Sequence, residues 1–182
     1  MRFLIALSLF FIGCVQPFDL DGPWLDFNGE VTGVDYGERT VGICGFNDTE
    51  EKLIKEGIDH WNKFAGYDIL QIVPCNNNPS LVINYDEGSP YTGNTHQQAC
   101  NGLLCRSCNM ELSKAWVDLD KYGDIILRMV VIHELGHYFG LGHGFPEGCI
   151  MNKNGRSIDE FCDAERQEIC KHWSDFAGCM GE

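Results

Sequence analysis

The chain carries His133-Glu134-Leu135-Gly136-His137-Tyr138-Phe139-Gly140-Leu141-Gly142-His143 at the end of an apolar run that reads as helical from Asp124. No other stretch constrains the fold as strongly, because it requires three imidazoles to meet. Residues four apart share one face of an α-helix, so His133 and His137 can present their rings to a single metal ion. Glu134 follows the first of them directly and projects beside that ion, where its carboxylate can take a proton from water. Gly140 lacks a Cβ and tolerates the left-handed conformation in which a helix stops and the chain reverses. The reversal brings His143 back as a third ligand. Three protein ligands leave the fourth position of tetrahedral zinc open to water, which is the catalytic rather than the structural arrangement. A buried helix that happens to carry histidines is the competing reading, and it loses force once the glycine and the third histidine are counted.

A second feature follows the motif. Cys149-Ile150-Met151 places a methionine eight residues after His143, with Asn152, Lys153, Asn154 and Gly155 as turn residues behind it. By itself Met151 reads as a core methionine filling an irregular gap. Together the two features resemble the metzincin clan of zinc endopeptidases. Length and methionine spacing are matrixin-like, whereas Cys-Ile-Met followed by Phe161 and Cys162 is similar to the adamalysin pattern. Gly144, after the third histidine, is neither the matrixin serine, the astacin glutamate nor the adamalysin aspartate. Lys153 stands where astacins and serralysins carry a zinc-interacting tyrosine, so that tyrosine switch is absent.

The resemblance implies one zinc held by His133, His137 and His143, Glu134 as the catalytic base, and Met151 in a tight turn beneath the metal. It implies an α+β fold: a twisted, mostly parallel sheet with an antiparallel edge strand, packed on the active-site helix and a second long helix, with a C-terminal helix. It also implies a protein or peptide substrate bound in extended form along the sheet edge, which the sequence assigns to a strand over Ala115–Leu119. An exposed edge offers unpaired backbone groups to such a chain.

The 182 residues suit one domain with a real core. Residues 1–13 are an arginine and an apolar run, too short to span a bilayer and read as a secretory signal. Phe11-Ile12-Gly13-Cys14 resembles a bacterial lipobox with Phe in place of the usual leucine. Lipidation of Cys14 would tether the chain to a membrane; ordinary signal cleavage nearby is the alternative. Residues 14–39, rich in Gly and Asp, form a tether or short pro-segment, and residues 40–182 the catalytic domain. A net charge of −14 argues against nucleic acid and anionic lipid as partners. Membrane contact is left to the lipid anchor, and the chain is expected to be a monomer. Ten cysteines fit an oxidising compartment and disulfides. Without Cys14 an odd number remains, so one of them is free, intermolecular or engaged elsewhere. Cys105-Arg106-Ser107-Cys108 has no second C-x-x-C and reads as disulfide-forming rather than as a zinc or redox motif.

Elsewhere, Thr40–Phe46 reads as a strand, and Asp48 as the N-cap of a helix carrying Ile54, Ile58, Trp61 and Ala65 and stopped by Gly66. His60 lies off the apolar face and is expected to be exposed. Asp68–Val73 and Ser80–Tyr85 read as strands flanking a Pro-Cys-Asn-Asn-Asn-Pro turn. Residues 86–113 show little periodicity and read as a long loop tied by its cysteines, with His96 solvated. Asp118, Asp120 and Asp124 have oxygen ligands suited to calcium, but their spacing matches no EF-hand and Asp124 suits a helix N-cap, so calcium is unsupported. The zinc helix is apolar nearly all round and is expected to be buried. Gly136 costs about 1 kcal/mol relative to alanine inside a helix, which implies close packing there. Asp163–Trp173 reads as a closing helix, with His172 on the surface. The functional expectation is a secreted or lipid-anchored zinc endopeptidase outside the cytoplasm. The alternative is a metzincin-fold binding or inhibitory protein without cleavage. Glu134 argues against that alternative, because zinc binding does not need its carboxylate.

Overall fold

Alternating apolar residues build a sheet, and two helices close over it. The structure, a computed structural model, describes residues 39–86, 93–96, 99–100, 103–104, 108–113, 124–152 and 160–180. Its elements are β1 (Arg39–Ile43), α1 (Asp48–Ala65), β2 (Leu70–Ile72), β3 (Leu81–Asp86), β4 (Gly93–His96), β5 (Ala99–Cys100), β6 (Leu103–Leu104), β7 (Cys108–Ser113), α2 (Asp124–Tyr138) and α3 (Asp163–His172). Short 3-10 turns lie at Cys75–Asn77 and Ala177–Cys179. The main sheet has the order β2-β1-β3-β7-β4. Its first four strands are parallel and β4 runs antiparallel to β7. The expected α+β architecture, mostly parallel with an antiparallel edge, is the one observed.

Among the described residues that edge is β4, within the segment read as a long loop, and the strand expected over Ala115–Leu119 lies outside the described residues. In the same segment β7 is an inner strand between β3 and β4. Met110 and Leu112 are fully buried two residues apart, the period of a strand with one face in the core. Parallel strands need a crossover, and α1 supplies the one between β1 and β2. The chain returning from β2 to β3 passes over β1 at Gly42, where a Cβ would meet Pro79 Cγ at 2.7 Å.

Helix α1 begins in a capping box whose N-cap is Asn47, not Asp48: the Asn47 carboxamide accepts from Thr49 and Glu50 N–H, and Glu50 accepts from Asn47 N–H. Gly66 ends the helix at φ +83°, as expected of a left-handed cap. Leu53, Ile54, Ile58, Trp61 and Ala65 form its buried stripe. Burying each large apolar side chain contributes roughly 1.5–3 kcal/mol. The exposed Lys52–Glu56 and Lys55–Glu51 pairs contribute about 0.5 kcal/mol at most. The stripe therefore decides where α1 lies. It lies against α2, and at Gly57 a Cβ would come within 2.7 Å of Val131 Cγ1. The buried Trp61 indole N–H donates to the Ile132 carbonyl at 3.1 Å, which ties α1 to the residue before His133.

Helix α2 is buried as expected over its second half, where Val131, Ile132, Glu134, Leu135, Gly136, His137 and Tyr138 are all buried, and Leu127 is buried nearer its start, where Ile125 is half exposed. His60 departs from expectation: it is half-buried, its ring edge-on to Phe161 at 4.9 Å. His172 is exposed, as expected. Disulfides join Cys44 to Cys75, Cys149 to Cys162 and Cys170 to Cys179. Closing loops of such length contributes roughly 3 kcal/mol each in the chain-entropy account. Among the described residues no helix is long and apolar enough to cross a membrane.

Candidate metal centre

Helix α2 ends in a Schellman reversal. Gly140 at φ +90° donates to the His137 carbonyl and Leu141 N–H donates to the Gly136 carbonyl, both at 2.9 Å. That geometry needs a residue without a Cβ, as expected of Gly140. The carbonyl of Leu141 then turns back and accepts from His137 Nδ1 at 2.7 Å. Two residues on, His143 Nε2 stands 3.0 Å from His133 Nε2 and 3.0 Å from His137 Nε2. His133 Nδ1 donates to the Ile150 carbonyl at 2.7 Å. The helix, the reversal and the following turn thus bring together the three histidines that the motif singled out.

Their hydrogen bonds decide what the cluster can hold. Donation from Nδ1 to a carbonyl fixes the tautomer, so His133 and His137 aim bare Nε2 lone pairs at His143 Nε2. One proton there can satisfy one of them. A cation satisfies all three. Tetrahedral zinc with Zn–N of about 2.0–2.1 Å sets its ligand nitrogens about 3.3 Å apart, close to the observed 3.0 Å. His137 is held well below the usual histidine range, chiefly by burial and then by repulsion from His133 and His143. It stays neutral, as a ligand must. Glu134, next to the first of these imidazoles, is a buried carboxylate.

Met151 is fully buried against α2. A Cβ on Gly136 would lie 2.2 Å from Met151 Sδ and 2.8 Å from its Cε, so the close packing implied by that glycine is with this methionine. The turn around Met151 is closed by Asn152 N–H to the Cys149 carbonyl and by the Asn152 carboxamide to the Phe145 carbonyl. Gly144 is exposed. Cys14, Asp118 and Asp120 lie outside the described residues; Asp124 is the first residue of α2, and His96 lies in β4 opposite Asn109.

Three groups escaped the sequence reading: the carbonyls of Leu141 and Ile150, and Glu165. No side-chain pattern marks a carbonyl. Glu165 carried only a helix-start signal, standing three residues after Cys162.

An α+β frame with three convergent imidazoles, two on a helix and one past its terminal glycine, is the arrangement of the metzincin type of zinc metallopeptidase. The matrixin family profile matches residues 44–166, about two thirds of the chain. The chain belongs to the matrixin family, which decides between the matrixin-like and adamalysin-like readings. Membership implies zinc and hydrolysis as the kind of chemistry, and the three histidines form a group that could hold such an ion. A search of curated proteins finds no match.

Proposed function

We propose that the chain is a zinc endopeptidase acting outside the cytoplasm, with His133, His137 and His143 as the metal ligands and Glu134 as the general base. The convergence of three Nε2 atoms, two of them locked as lone-pair donors, carries this reading. When bound there, zinc supplies Lewis acidity toward water and the substrate carbonyl. Glu134 takes one proton from the water as its oxygen bonds to the carbonyl carbon. The carboxylic acid so formed gives that proton to the amine nitrogen as the C–N bond breaks. Ile150 and Leu141 keep the two helix imidazoles in their tautomers throughout. The substrate lies extended along β4, which ends the sheet among the described residues and runs beside α2.

Glu134→Ala tests the mechanism. Zinc content should match the wild type, while cleavage of a peptide library falls at least about a hundredfold, as for loss of a general base. Cleavage that survives refutes the role of Glu134. Wild-type protein that binds zinc and peptides without cutting them supports a binding or inhibitory protein instead. The disulfides fit an oxidising compartment. We assign residues 1–13 to a signal and Cys14 to lipidation, which predicts that Cys14→Ser accumulates as unprocessed precursor. Processed, soluble Cys14→Ser protein would point to ordinary signal cleavage.

A further inference from the structure

The Ile150 carbonyl that receives His133 Nδ1–H belongs to a turn tied twice to the start of α3. One tie is the Cys149–Cys162 disulfide. The other is Glu165, whose carboxylate accepts from Met151 N–H through Oε1 and from Cys162 N–H through Oε2. Capping α3 alone needs only the Cys162 bond. Glu50 does the same for α1 from a partly exposed position. Glu165 is instead fully buried and reaches across fourteen residues of sequence to the Met151 backbone. Burying a carboxylate is unfavourable unless its oxygens are matched, so placing one here calls for a role that a surface cap would not fill. Burial pushes its carboxyl above the usual range, and the backbone N–H groups oppose that rise. Glu165 lies near the Cys149 and Cys162 sulfurs, but these are bonded to each other and so are not a second set of metal ligands.

We propose that Glu165 is a positioning residue of the metal centre: it holds the Ile150–Met151 backbone so that the Ile150 carbonyl keeps His133 Nε2 aimed at the metal. The inference rests on reading the three histidines as a zinc site. It acts on one ligand only. His137 is oriented by Leu141, in the helix-terminal reversal, which Glu165 does not touch.

That asymmetry supplies the test. Glu165→Gln keeps the shape, but both carboxylate oxygens face N–H groups, so any amide orientation turns a donor onto a donor. In the zinc-loaded full chain with 15N-labelled histidine, the His133 Nδ1–H resonance should shift while that of His137 stays in place. Zinc held against a competing chelator should weaken about tenfold, the lower end of the range for outer-shell partners. Ile169→Val, trimming a buried residue one turn along α3, should lower the melting temperature without moving the resonances or the zinc affinity. Wild-type zinc affinity with an unmoved His133 overturns the proposal, as does an equal shift of His133 and His137. Should Glu165→Gln fail to fold, Glu165→Asp draws both acceptors back by one methylene and must produce the same selective shift; an unmoved His133 in that variant also overturns it. A wild-type chain that cuts no peptide, with the selective shift intact, counts against the peptidase reading alone. A chain that takes up no zinc at the histidines overturns both.

Discussion

Replacing Gly136 by alanine sets two opposed effects against each other at a single atom. Gly136 lies inside α2, and its φ is not among the positive ones, so the backbone accepts alanine. Helix propensity then favours the variant by about 1 kcal/mol. The new Cβ, however, falls 2.2 Å from Met151 Sδ, far inside contact distance. A thioether at the surface would swing aside at little expense. Met151 is fully buried, so its thioether moves only by displacing its neighbours, and the clash falls in the overpacking range of about 1–3 kcal/mol. The net expectation is destabilisation of about 1 kcal/mol. Met151→Ala removes the clash at its own cavity cost of about 2–5 kcal/mol. In that background Gly136→Ala should instead stabilise by about 1 kcal/mol, leaving a coupling of about 2 kcal/mol. Urea unfolding of the four proteins, metal-free and with disulfides intact, measures the cycle without the mass-action contribution of bound zinc. A Gly136→Ala protein at least as stable as the wild type refutes the reasoning. So does a cycle that closes within about 0.5 kcal/mol, since distant sites add that well.

The N-cap assignment makes Asn47→Ala cost about 1 kcal/mol in urea unfolding, whereas Asp48→Ala, inside the first turn, should lose only a few tenths from the helix dipole; equal losses would contradict the capping box. The metal-free protein should lose stability in mild acid. Folded His137 sits well below its usual value of 6.5, so below that value the unfolded chain binds a proton the folded chain refuses. Urea midpoints taken from about pH 7.5 to about pH 5 should fall, and His137→Asn should flatten the slope. An unchanged slope in that variant assigns the acid sensitivity elsewhere.

Spacing alone determined the centre of this protein. Two histidines four apart on an apolar helix can meet, and the glycine three beyond the second permits the reversal that returns His143, because these are local consequences of helical pitch and a missing Cβ. The same local reasoning located α1, its Gly66 stop and strands β1 to β3 in outline. It failed where partners lie far away in sequence. Gly-Asn-Thr-His has no apolar residue, yet it forms the edge strand β4 because β7 offers it a ladder. The alternation in Cys-Asn-Met-Glu-Leu-Ser was present but short, and the cysteines and glycines around it made a loop the more economical reading. Asp48 and Asn47 are both good caps, and only the backbone conformation of residue 47 decided between them. Which carbonyls hold the imidazoles, and that a buried Glu165 holds the turn carrying one of them, follow from contacts spanning four to seventeen residues that no side-chain pattern encodes. A backbone acceptor has no residue identity, so its position becomes legible only once the chain has folded.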